Sequence, residues 1–224
     1  MEDMHIHVRD GVENYEILKQ YVNACINNDI KKVLFLEHGP RISEKHRARL
    51  DSVEKIRNLK QNIEIARKEF PNIEIYSGIE LDFSYDKEFQ QRNLDLLKEN
   101  FDYVIGAIHS MRFYNGRDYL KTVIDMLNSY PIDIIGHILL KYDWMDCKDL
   151  IDNILSIARE KEIMIEINTS DRSRWDDEIL KYMLFEMKKK DVKFTIASDA
   201  HYLNEIGHMI KKTAQKVRTF NGNK

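Results

Sequence analysis

MEDMHIH (Met1–His7) sets His5 and His7 two residues apart, with the apolar Ile6 between them. Side chains at i and i+2 point the same way only on an extended strand, so the segment predicts a β-strand over Met4–Val8 with both imidazoles on one face. The pair can reach a single cation. Asp3 falls on the same side by the same alternation, where it would orient an imidazole from behind. Taken alone, an H-x-H is equally well explained by a strand that happens to hold histidines. Its meaning depends on the remaining strands.

Short β-rich apolar runs recur along the chain, each followed by a longer amphipathic, charged run. The strands are expected at Met4–Val8, Lys32–Leu36, Ile73–Ile79, Tyr103–Ile108, Ile132–Gly136, Ile163–Ile167 and Phe194–Ala197. The helices are expected at Tyr15–Asn27, Ser43–Phe70, Lys87–Glu99, Arg117–Leu127, Lys148–Lys161, Asp177–Lys189 and Leu203–Val217. Pro71 stops the second helix, because proline disfavours helix in the residue before it. Seven successive β–α units predict a parallel sheet with helices outside, closed or nearly closed into a barrel.

Each apolar run ends in a histidine or a carboxylate. After His5 and His7 come Glu37 and His38 in LFLEHGP, Glu80 in YSGIELDF, and His109 in IGAIHSM. His137 follows in IIGHILL, Glu166 and Asn168 in IEINTS, and Asp199 and His201 in IASDAH. In a β/α barrel these carboxyl ends converge on one face, where active sites are built. Six of the eight histidines belong to this set; His46 and His208 fall on predicted helices and read as helix-surface residues. Any one member is as well explained as a satisfied core histidine, but that explanation fits a donor at every strand end far less well. Imidazole and carboxylate donors suit Zn, Mn or Fe as divalent ions. About ten donors are too many for one ion and fit two or three clustered metals, an arrangement used for hydrolysis of phosphate esters.

The bulk composition sets bounds. With 224 residues, 43% hydrophobic and 33% charged, the chain is expected to form a single globular domain over residues 1–224. The net charge of −3 carries no basic footprint, which argues against a nucleic acid partner. No apolar run is long enough for a membrane span, and Asp3 and His5 interrupt any leader, so a cytoplasmic location is expected and no membrane partner. Cys25 and Cys147 are far apart and form no C-x-x-C, so a disulfide framework is not expected and a reducing cytoplasm is the simplest home.

The ordered set DMHIH, LEHGP, GIELDF, GAIHS, IGHI, EINTS and SDAH resembles the PHP (polymerase and histidinol phosphatase) family along essentially the whole chain. EHGP, GIELDF, IGHI and EINTS are most similar to its histidinol-phosphatase branch. The resemblance implies a distorted seven-stranded (β/α)7 TIM-like barrel with a trinuclear metal site. It implies one metal on His5, His7, Glu80 and Asp199, a second on Glu80, His109 and His137, and a third on His38 and His201. Family members usually add a ligand about six residues after the H-x-H; Glu13 occupies that place here, with Asp10 nearby, and either ligates or begins the first helix. Glu37 reads as an orienting neighbour of His38.

The activity implied is hydrolysis of a small phosphate monoester, histidinol phosphate among the candidates, by a hydroxide bridging two metals. Asp199 and His201 would serve the leaving oxygen as catalytic groups. The forked guanidinium suits phosphate, and the substrate-phosphate candidates are Arg172 and Arg174 beyond EINTS and Arg41 beyond EHGP, with Arg112 a fourth. The branch often has an arginine where Ser173 stands here. Tyr142, Trp144, Trp175 and Tyr202 lie beyond strand ends and could stack on a substrate ring or pack the cap. The alternatives are a PHP-type phosphotyrosine phosphatase, an exonuclease, an amidohydrolase-type metal hydrolase and a non-catalytic metal-binding regulatory domain. Amidohydrolase-type barrels usually bridge their metals with a modified lysine, so Glu80 and the SDAH ending favour PHP.

Overall fold

The computed structural model describes residues 1–40, 50–138, 145–170 and 177–222. Seven strands form one parallel sheet in chain order: β1 (Glu2–His7), β2 (Lys32–Leu36), β3 (Glu74–Asp82), β4 (Tyr103–Ala107), β5 (Ile134–Ile135), β6 (Met164–Asn168) and β7 (Phe194–Ala197). The intervening helices are α1 (Tyr15–Asn27), α2 (Val53–Glu69), α3 (Lys87–Leu96), α4 (Gly116–Ser129), α5 (Lys148–Glu160) and α6 (Asp177–Lys190), and α7 (Ile210–Gly222) follows β7. The sheet nearly closes on itself. Ile6 bridges Ala200, and the His7 amide donates to the Ala200 carbonyl at 2.8 Å. Side chains finish the seam: Asp3 accepts from the Ser198 amide at 2.8 Å and hydroxyl at 2.6 Å, and Thr195 donates to Glu2 at 3.0 Å. This is the TIM-like (β/α)7 barrel the sequence predicts.

Two layers of apolar side chains hold the barrel. Met4, Leu34, Leu36, Ile105 and Ile134 fill its interior, and Tyr76, Tyr103 and Met164 pack against them. The opposite strand face, with Ile6, Phe35, Ile79, Val104, Ile135 and Ile167, packs against helix residues such as Leu18, Leu59, Val123 and Leu155. Each fully buried Leu or Ile contributes about 1.5–3 kcal/mol. The interior plug leaves the barrel solid, so functional groups are confined to its carboxyl end.

Most helix starts follow local capping chemistry. Asn14, Asp86 and Asn115 accept from amides in the first turns of α1, α3 and α4. Two helices begin later than the periodicity predicts. The expected start at Ser43 lies outside the described residues, and α2 begins at Val53, because extended Ser52 caps it by accepting from the Lys55 amide. The segment predicted as helix from Leu203 is instead a short 3₁₀ turn, Leu203–Glu205, and α7 starts at Ile210. The Glu205 carboxylate is drawn back to the His201 and Tyr202 amides at 2.8 and 3.1 Å, and left-handed Gly207 (φ +73°) and Met209 (φ +57°) interrupt the helical path.

Candidate metal centre

Strand parity aims most of the donors. On β2, Leu34 and Leu36 point inward, and His38 continues that face; on β3, Tyr76 does the same and Glu80 follows. An isolated bridge between His38 and Glu80 extends the pairing of β2 with β3, with the Gly39 amide on the Glu80 carbonyl at 2.9 Å. Backbone hydrogen bonding therefore places these two side chains together.

Two strands break parity. On β1, Asp3 pairs with Val33 but Ile6 with Phe35, so one extra residue is inserted. That bulge reverses the alternation. Met4 fills the interior, Ile6 and Val8 pack outside, and His5 and His7 still face the barrel mouth. Asp3 ends on the other side. The orienting role expected of it is not what it does: it holds Ser198 and also accepts from the Gly207 amide at 3.3 Å. On β5, Ile135 packs outward, so strict alternation would send His137 outward as well. A left-handed φ of +31° turns it in, and its Nε2 lies 2.9 Å from Glu80 Oε1. Asp199 is likewise left-handed, at φ +55°. Such conformations in non-glycine residues cost of order 1–3 kcal/mol and collect at functional sites.

Glu80 is the centre of the cluster. Its Oε2 lies 2.5 Å from His38 Nδ1, 3.5 Å from His7 Nε2 and 3.8 Å from His5 Nε2. Its Oε1 lies 2.9 Å from His137 Nε2 and 3.3 Å from His109 Nε2. The two oxygens thus serve separate histidine sets, as a bridging carboxylate would. Within the sets, His5 and His7 approach to 3.1 Å through Nε2, and His109 and His137 to 3.2 Å. Asp199 Oδ1 stands 3.7 and 3.6 Å from the first pair. An ion with bonds near 2.0–2.2 Å spaces its donors about 3–3.5 Å apart. Three donor groups among the described residues could each hold an ion: His5, His7 and Glu80; His38, Glu80 and His109; and His7, His38 and His201. Glu80 Oε2 is buried and makes no hydrogen bond of acceptable geometry there, although three imidazoles surround it. A carboxylate oxygen in that setting fits a cation.

The electrostatics agree. Burial opposes charge on His5, but Glu166, Glu80 and Asp199 outweigh it and hold the imidazole well above its ordinary pKa. His7 rises to about 9 against the same burial, through Asp199 and Glu37. Burial likewise opposes ionisation of Glu80, yet His109, His38 and His5 keep it well below the carboxylate range. This is a buried anionic field that favours positive charge at its centre, whether as protons or as metal.

A further layer fixes the donors. Glu166 Oε2 accepts from His5 Nδ1 at 2.8 Å, and Asn168 donates to Glu166 Oε1 at 2.6 Å. Placing the proton on Nδ1 turns the His5 Nε2 lone pair inward. Glu37 lies 3.6 Å from His7 Nδ1, accepts from the Arg9 and His38 amides, and has a pKa of about 2, where burial is overcome by His7 and His38. Asp82 accepts from the His109 amide at 2.7 Å. His201 Nδ1 donates to the Asp199 carbonyl at 2.9 Å, leaving Nε2 available.

The remaining sequence candidates fall elsewhere. Glu13 is exposed just before the Asn14 cap and joins none of the three donor groups among the described residues. Arg41, Arg172 and Arg174 lie outside the described residues, as do His46, Tyr142, Trp144 and Trp175. Arg112 and His208 are exposed. Cys25 and Cys147 are free thiols. Sequence reasoning noted Glu166 only as a strand-end residue and passed over Arg9. The signal for Glu166 was its inward parity with Met164. Nothing local marks Arg9, which lines a cleft of about 460 Å³ beside Asp199, His201 and Tyr202.

A parallel β/α barrel with histidines and carboxylates converging around one buried glutamate defines a metal-centred barrel protein. The PHP domain family matches residues 3–170, and the chain belongs to that family. A probable phosphatase of Clostridium acetobutylicum is 26% identical over 220 residues, covering 93% of this chain and 82% of that protein. A probable histidinol-phosphatase of the same organism is 27% identical over 177 residues, covering 64% and 67%. Among solved structures, the histidinol phosphate phosphatase of Lactococcus lactis, complexed with zinc, L-histidinol and phosphate, superposes with a TM-score of 0.76. It is 20% identical and covers 97% of this chain and 92% of its own. No helix among the described residues is long and apolar enough to cross a membrane.

Proposed function

We propose that the protein is a metal-dependent phosphatase acting on a small phosphate monoester, with histidinol phosphate the first substrate to test. The observation that carries the reading is Glu80, whose two oxygens face separate histidine sets. The names of the related proteins point the same way. Two or three divalent ions, Zn, Mn or Fe, would be held by His5, His7, Glu80 and Asp199, by Glu80, His109 and His137, and by His38 and His201. Bound there, they supply an activated water and neutralise phosphate charge.

The side chains do the rest. Glu166 holds His5 with its Nε2 lone pair inward, and Glu37 stands behind His7. The apolar plug of Met4, Leu34, Leu36, Ile105 and Ile134 packs beneath the site. Asp199 and His201 line the cleft and are the groups placed to manage the proton at the leaving oxygen. Arg41, Arg172 and Arg174 remain candidates for the substrate phosphate.

The test is phosphate release from p-nitrophenyl phosphate and histidinol phosphate by protein of measured metal content. Turnover is expected with Mn or Zn, abolished by chelator and restored by metal. Folded, metal-replete protein that releases no phosphate from either ester, or from a wider phosphoester panel, defeats the reading.

A further inference from the structure

We infer that Arg9 is a phosphate-binding residue of this site, held in place by Tyr202 across the barrel seam; the inference rests on the phosphatase reading. Arg9 follows ligand candidate His7 by two residues, and Tyr202 follows ligand candidate His201 directly. The barrel brings the ends of β1 and β7 together, so the Arg9 guanidinium carbon lies 4.1 Å from the Tyr202 ring centroid. Stacking on a ring fixes the guanidinium plane and leaves its N–H edges free for bidentate contact with an oxyanion.

Three further observations support the assignment. Among the described residues lining the cleft with Asp199, His201, Ser170 and Asn204, Arg9 is the side chain with permanent positive charge. Its guanidinium has no carboxylate partner among the described residues, whereas Glu205, also in the cleft, is bound to the His201 and Tyr202 amides. Its backbone is left-handed at φ +51°, a conformation arginine rarely adopts, and its amide is anchored on the buried Glu37 at 2.5 Å. The same carboxylate that stands behind His7 therefore sets the course of the chain at Arg9. An unpaired guanidinium held beside the metal donors matches the non-bridging oxygens of a phosphate group.

The experiment titrates inorganic phosphate into metal-loaded protein by calorimetry, with metal content and thermal unfolding recorded for each sample. Arg9→Ala is expected to weaken phosphate at least tenfold with metal content and folding unchanged. Arg9→Lys, which keeps the charge and loses the fork, should fall between. Tyr202→Leu is expected to weaken phosphate severalfold, and Tyr202→Phe, which keeps the ring, to restore it. An Arg9→Ala affinity within threefold of wild type, or no phosphate binding by metal-loaded wild type, overturns the assignment. Phosphoester turnover by wild type is scored separately, so loss of the phosphatase reading is distinguishable from loss of this one.

Discussion

Glu166 shows how much of the site depends on residues that need not touch a metal. Its carboxylate accepts a hydrogen bond from His5 Nδ1 and is itself held by Asn168, which in turn accepts from the Ser170 amide at 2.9 Å. Without it, His5 is free to rotate or to change tautomer. Glu166→Ala is expected to lower metal affinity about 10–100-fold, as losses behind a metal-bound histidine do. Competition with a chromophoric chelator measures this; unchanged affinity would remove Glu166 from the site. Residue type and strand-end position made His5, His7, His38, Glu80, His109, His137, Asp199 and His201 legible in the sequence. The role of Asp3 was not, because one inserted residue reverses the side on which every earlier β1 side chain lies.

At the scale of elements, the strands are bound to each other by side chains as well as by their ladders. Asp102, just before β4, accepts from the Ser77 amide and hydroxyl on β3, each at 2.7 Å, and from Arg67 on α2 at 2.7 Å. Burial alone would raise its pKa; the Ser77 hydrogen bonds and Arg67 outweigh that and hold it below the ordinary value. A depressed folded-state pKa means the stabilisation is present above the unfolded value, about 4, and is lost as pH falls through the folded value. Asp102→Asn is expected to cost about 1–2 kcal/mol at pH 7. The gap from wild type in urea unfolding should narrow as pH falls below the unfolded value of about 4; a gap independent of pH would show that the charge of Asp102 is not what matters. Element boundaries were readable where capping is local, as at Tyr15. They were not where a distant claim intervenes, as when Glu205 is taken up by the His201 and Tyr202 amides instead of starting a helix.

For the whole molecule, the donor cluster joins β1, β3 and the ends of β2, β4, β5 and β7, so an ion bound there links most of the barrel. Six imidazoles and two carboxylates in one mouth are also a charge cluster that folding must assemble. Binding to the folded state alone adds about 2.7 kcal/mol at a free ligand concentration 100 times Kd. Adding Zn or Mn to chelator-treated protein should therefore raise the unfolding midpoint by about 5–10 °C, given about 2–4 °C per kcal/mol for a chain of this size. Calorimetric scans with and without metal test this, and an unmoved midpoint would mean the cluster binds no ion tightly.

By itself the sequence determined seven β–α units and a metal-donor residue type at every strand end. Those features follow from alternation and periodicity, which involve residues only a few positions apart. The tertiary structure decided how the donors are aimed and combined: the β1 bulge, the left-handed turn that brings His137 to Glu80, the Glu166 support behind His5 and the seating of Arg9 on Tyr202. Each is settled by partners far away in the chain that meet only when the barrel closes, so no window of sequence around them carries the information.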